Sequence, residues 1–209
     1  NGHTGGTRLS EGVLSVSQDA SLGDGASDLM FNGGTLRVTG QSFSQTARNL
    51  QWSAQGGAFD IASASNRFTV GQALSGAGDL VKLGAGTLVL TGTNAYGNTR
   101  VEAGTLVGNT DSIRGNLQNN GFVVFDQASS GTFGGDISGS GEATKTGAGV
   151  LTLSGRSVQN WRVTAGTLAA SGGALSGNVD VGAAGALHLD APQSSTYSGV
   201  LSGTGGLSK

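Results

Sequence analysis

Apolar residues in this 209-residue chain come in short bursts of alternation. Leu29 and Phe31, Leu36 and Val38, Leu50 and Trp52, and Phe59 and Ile61 are i, i+2 pairs, the period of a strand with one buried face. Gly, Asn, Asp and Ser fill the gaps and supply turns, some of them needing positive φ. No stretch holds a 3.6-residue apolar period, so the pattern predicts many short strands and almost no helix.

The alternation is itself periodic. A glycine-punctuated run beginning LSGAGDLVKLGAGTLVL at Leu74 returns at Ile137 as ISGSGEATKTGAGVLTL and starts again at Leu201 as LSGTGGLSK. The chain has three lysines, Lys82, Lys145 and Lys209, and each holds the same slot: 145 − 82 = 63 and 209 − 145 = 64. Copies therefore run over 1–73 (partial), 74–136, 137–200 and 201–209 (partial). Asn1 to Leu14 lines up with Asn94 to Leu106, setting Thr7-Arg8-Leu9 against Thr99-Arg100-Val101. The chain is thus expected to be one piece, 1–209, of a longer array. In the second half of each copy, Gly115 to Asp126 matches Gly177 to Asp190, which puts Phe125 with Leu189 and Val123 with Leu187 facing inward. Val124 and His188 then face outward.

A repeat of this length divides into about three coils of roughly 21 residues, the size of a solenoid unit. One such coil cannot bury its own apolar face, whereas stacked coils share a continuous narrow core. The expected fold is all-β: a right-handed parallel β-helix (β-solenoid) with about three coils per 63–64-residue repeat, the hand being that of parallel crossovers. About ten coils at ~4.8 Å strand spacing would make a rod roughly 50 Å long.

Composition narrows the alternatives. Forty glycines, one proline and no cysteine accompany 36% hydrophobic, 5% aromatic and 11% charged residues. Collagen needs glycine at every third position with abundant proline, and disorder usually brings high net charge or low hydrophobicity; neither fits alternating clusters at a net charge of −2. Scattered lysines and arginines argue against a nucleic-acid partner, which demands a concentrated basic face. Nothing approaches the ~18–20 continuous apolar residues of a membrane helix. The absence of cysteine excludes a disulfide scaffold, a thiol nucleophile and thiolate metal sites.

Candidate chemistry is thin. The two histidines, His3 and His188, fall in a repeat turn and on an outward face, where a solvated role outweighs a catalytic one. Asp126 and Asp190 share a slot because the coil recurs, which favours a turn over acid–base work. Gly23-Asp24-Gly25 with Asp28 occurs once, unlike calcium nonapeptide arrays. Gly76-x-Gly78 and Gly84-x-Gly86 complete no phosphate loop. The lysines, imagined down one edge, read as solvated turn residues that discourage edge pairing. Trp52, paired with Leu50, leans toward the core, and Trp161 stays open between core and surface. No catalytic, cofactor-binding or metal-binding residue is assigned, and no cofactor is expected.

The ordered motif resembles a known family. Leu74-Ser75-Gly76-Ala77-Gly78, then Lys82-Leu83-Gly84-Ala85-Gly86-Thr87-Leu88-Val89-Leu90-Thr91-Gly92, Asn94-Ala95-Tyr96 and Gly104-Thr105-Leu106 follow the pattern of the autotransporter-associated β-strand repeat. That repeat occurs in the passenger domains of Gram-negative autotransporters (type V secretion), among them AIDA-type adhesins and subtilisin-like proteases. The second copy departs from it: Gly155 to Trp161 is a residue shorter and lacks asparagine-x-tyrosine, and Val150 replaces the threonine. His3 stands in the tyrosine slot of the opening copy. The resemblance implies a non-enzymatic stalk at the bacterial surface, outer membrane or in secreted form, adhesive to a host-cell or matrix receptor or to itself. It further implies a C-terminal β-barrel elsewhere in the same protein and help with passenger folding and secretion. Two other functions stand beside this one. The chain could be the stalk of a secreted subtilisin-like protease whose catalytic domain lies outside it. A pectinase-type enzyme would need clustered carboxylates that this sequence disperses.

Overall fold

The computed structural model describes residues 1–171, 173–190 and 196–209; Pro192, the one proline, lies outside them. Among the described residues the chain forms 21 strands and one four-residue 3-10 turn, Asp19–Leu22, and every strand pairing is parallel. The strands stack into a β-solenoid of about ten turns, as the alternation and the repeat predict.

Each coil passes three faces in order. The first holds Thr7–Leu9, Leu29–Phe31 and Leu50–Trp52. The second is a seven-stranded sheet running from Val13–Val16 through Gly57–Ile61 and Leu80–Leu83 to Ile137–Ser138. The third begins at Arg67–Val70 and climbs through Thr87–Leu90, Thr105–Gly108, Phe122–Asp126 and Glu142–Thr146 to Leu201–Gly203. Two 12-residue strands, Asn160–Ser171 and Val179–Asp190, turn a corner and belong to two faces at once.

The predicted inward pairs all lie in the core: Leu29, Phe31, Leu36, Val38, Leu50, Trp52, Phe59 and Ile61 are buried. So are Val123, Phe125 and Leu187, with Leu189 packed partly buried against them. Trp161, left open by the sequence, is buried and donates its indole N–H to Ser157 Oγ at 2.9 Å.

Coil length varies more than an even division suggests. Leu80 sits beside Gly57, 23 positions earlier, whereas Phe122 sits beside Thr105, only 17 earlier. A 63-residue repeat consequently overshoots three coils by one face. Leu80–Leu83 of the first full copy belongs to the seven-stranded sheet, while its counterpart Glu142–Thr146 belongs to the eleven-stranded one. The lysines are therefore not aligned down one edge; they wind around the rod, because the sequence period is not a whole number of turns.

Candidate functional site

The lysines correct a second expectation. Lys82 and Lys145 are fully buried rather than solvated. Lys82 Nζ donates to the carbonyls of Leu83 (2.7 Å) and Gly84 (2.8 Å) in its own turn and of Ala103 (3.1 Å) in the next coil. Lys145 repeats this on Thr146 (2.7 Å), Gly147 (2.7 Å) and Ala165 (3.1 Å). An ammonium has three donors and no acceptor, so three carbonyls match it, and one lysine clasps two coils together. Gly84 and Gly147 turn their carbonyls inward at φ 74° and 76°, in the left-handed region open to glycine. Burial pushes the Lys82 ammonium down to about 8, against the opposing pull of the Asp60 carboxylate. Lys145 is lowered by the same cause, opposed by Asp126.

That assigns the recurrent aspartate. Asp126 faces Lys145 and accepts the Thr146 hydroxyl at 3.0 Å, and Asp60 plays the equivalent part for Lys82. Asp60 was invisible to the repeat alignment, although Phe59-Asp60, Phe125-Asp126 and Leu189-Asp190 share the same aromatic- or leucine-aspartate signature ahead of a lysine.

Asparagine-x-tyrosine is a bracket between coils. Asn94 Oδ1 accepts the Leu74 N–H and its Nδ2 donates to Ser112 O, both at 2.8 Å, joining the coils on either side. Tyr96 OH meets Thr99 Oγ1 at 2.9 Å, and Thr99 in turn donates to Arg114 O at 2.7 Å. His3 reproduces the tyrosine in its slot: its Nε2 lies 3.2 Å from Thr7 Oγ1, which donates to Leu22 O at 3.0 Å. In the second copy, Gln159 fills in by donating to Ser138 O (3.1 Å) and Gly139 O (2.8 Å).

The remaining candidates separate. His188 is half-buried and pairs with Ser208 Oγ at 3.0 Å. Asp24 caps its own turn, accepting the Ala26 N–H at 2.9 Å. Among the described residues no group of three or more histidines and carboxylates converges for a metal.

What the outside offers is two parallel columns of side chains on the third face. One reads Thr69, Val89 (itself buried), Val107, Val124, Thr144, Arg162, Asp180 and Ser202, each beside the next. Its neighbour reads Arg67, Thr87, Thr105, Phe122, Glu142 and Asn160. Asn160 Oδ1 accepts the Asn178 N–H and Asn178 Oδ1 the Val200 N–H, both at 2.9 Å, extending the second column. Between the upper halves of the columns lies an open groove of about 390 Å³, and Phe122 stands 54% exposed at its foot. Chemically the face can bind; on it the Ser202 hydroxyl donates to Asp180 Oδ1 at 3.0 Å.

With this geometry in place, three stretches, residues 1–16, 80–107 and 144–170, match the model of the passenger-associated-transport-repeat family. The two longer stretches contain the lysine clasps, together with Gly104 and Gly166, which follow the acceptors Ala103 and Ala165 at φ 65° and 66°. The adhesin BmaC autotransporter of Brucella suis biovar 1 (strain 1330) is 39% identical over 150 residues, 69% of this chain. The chain corresponds to 4% of that protein's length. No solved structure matches.

Proposed function

We propose that this chain, an autotransporter passenger segment carrying passenger-associated transport repeats, serves as a rigid, non-catalytic stalk at the surface of a Gram-negative bacterium. Its outer faces adhere to a host-cell or matrix receptor or to an identical rod, and its coils aid passenger folding and secretion. One observation carries the folding part: each clasp lysine is satisfied only when the next coil arrives, since Ala103 O and Ala165 O come from the following turn. A buried ammonium lacking its partners is costly, so every added coil completes the one before it. The adhesive part is supported by the long columns of repeated side chains, polar in their upper halves, which suit many weak contacts summed by multivalency, and by the likeness to an adhesin.

The test is to display the purified 209-residue chain on beads and score saturable binding to host cells and bead clumping. Either result supports the adhesive reading. Neither binding nor clumping would reduce the segment to a spacer.

A further inference from the structure

The groove on the third face has a composition that selects among ligands. Its upper rungs are Thr144, Arg162, Asp180 and Ser202 on one side, Glu142 and Asn160 on the other. Two carboxylates against one guanidinium repel phosphate and sulfate. Arg162 Nε and Asp180 Oδ2 stand 3.6 Å apart with side chains 68% and 46% exposed, so the pair is loose and Arg162 can turn to a ligand. Asp180, whose Oδ1 accepts the Ser202 hydroxyl at 3.0 Å, is held in place and offers its Oδ2. The asparagine side chains are held differently. Because Asn160 and Asn178 spend their Oδ1 atoms on backbone N–H groups of the next coil, their orientation is set and their NH2 groups remain as outward donors. Donors and acceptors therefore alternate along a groove with a slight excess of negative charge.

At the foot, this polarity stops. Phe122 lies beside Glu142 in the register, with Val124 and Val107 in the adjoining column. An exposed aromatic ring next to a polar trough suits a ligand with an apolar face and a hydroxylated rim. A pyranose ring has both. Rungs repeat at the ~4.8 Å strand spacing, close to the rise of one hexose in an extended chain. A peptide adding as a strand would instead need an open sheet edge, and the backbone of this face is paired on both sides.

We propose that this groove binds an uncharged glycan chain, one pyranose stacked on Phe122 and the next units hydrogen-bonded by Glu142, Asn160, Arg162 and Asp180. It rests on the adhesive reading above and names the ligand class of that surface.

The experiment is retention of the 209-residue chain on immobilised neutral polysaccharides (a galactomannan and a chito-oligosaccharide), with a sulfated dextran as anionic comparator. Phe122→Ala and Asp180→Ala are expected to weaken retention about tenfold, equivalent to ~1.4 kcal/mol. Arg37→Ala, on the second face, should leave it unchanged. Unaltered melting temperatures of the variants separate loss of the site from loss of the fold. No retention on either neutral polymer, a preference for the sulfated one, or equal retention of all variants would overturn the proposal. The bead assay keeps the two readings apart. Glycan retention with neither cell binding nor clumping upholds the groove and sinks adhesion; cell binding that neither glycan nor Phe122→Ala disturbs upholds adhesion and sinks the groove.

Discussion

The coils between Leu29 and Val70 and those between Leu80 and Ser171 build one solenoid by different means. The earlier coils are wide, with Thr35 beside Ala58, 23 positions on. The later ones shrink to 18 between Thr99 and Leu117. Width decides filling. The wide coils enclose a connected aromatic stack: Phe31 lies 4.9 Å from Trp52 and 4.8 Å from Phe59, which lies 6.1 Å from Phe68. Their looser corner is closed by Arg48, whose buried guanidinium pairs with Asp19 at 3.0 Å and donates to the carbonyls of Gly23 (2.8 Å), Asp24 (2.5 Å) and Asp19 (3.1 Å). The narrow coils are filled mainly by Leu, Val and Ala, with one aromatic group around Phe125. Lysine clasps hold their corners. Interior volume and unsatisfied carbonyls are common problems of every coil, and the cross-section determines which side chain answers them.

Four measurements probe that contrast. The largest effect is expected from Phe59→Ala, which empties the centre of the aromatic stack at a cost of about 3–5 kcal/mol in urea unfolding. If Leu106→Ala in a narrow coil costs as much, width is not what distinguishes the regions. Next comes Lys82→Met, which keeps the stem but leaves three buried carbonyls without their donor. About 2–3 kcal/mol is expected, with faster hydrogen exchange around Ala103 and none gained in the aromatic coils. Equal exchange in both regions would show the clasp to be global rather than local.

A smaller loss, about 1–2 kcal/mol from the left-handed backbone alone, is expected for Gly104→Ala. A Cβ there would also approach Gly84 O and Gly86 O to 2.4 Å. Wild-type stability would refute the packing of that turn. The subtlest signal is alkaline. Lys82 titrates near 10.5 in the unfolded chain and about 8 when folded, so between those values the unfolded state binds more protons and stability climbs with pH. Tyr96 runs the other way: burial pushes it from 10.0 up to about 12, so the unfolded chain loses its proton first and stability falls across that window. Stability should peak around pH 10, and Lys82→Met should remove its share of the rising limb, leaving the share of Lys145, which burial lowers likewise. A rising limb left undiminished by the substitution assigns it to another group.

Much of this architecture was legible in advance, for a physical reason. Alternation places Leu29, Phe31, Phe59 and Ile61 on one side of a strand whatever they pack against. A repeat with strict glycine slots allows little but stacked coils. The tyrosine slot held even when occupied by His3, because the position needs only a group that reaches the Thr7 hydroxyl. Trp161 could not be placed, since the polar run before it hides that Ser157 and Gln159 are themselves buried.

The lysines mark the boundary. Their spacing, chemistry and neighbouring glycines are written in the chain, and so is the family to which those stretches are similar. Their burial is not, because it depends on a third carbonyl, Ala103 O for Lys82, which lies 21 residues away and completes the trio only after two coils have stacked. Nor does the period reveal that successive lysines occupy different faces, which follows from coil lengths that vary with the side chains enclosed. The groove beside Phe122 belongs to the same class, since Glu142, Asn160 and Arg162 meet Asp180 and Ser202 only through the register of separate turns. Local periodicity determines which side of a strand a residue faces; stacking alone determines which residues from distant coils become neighbours.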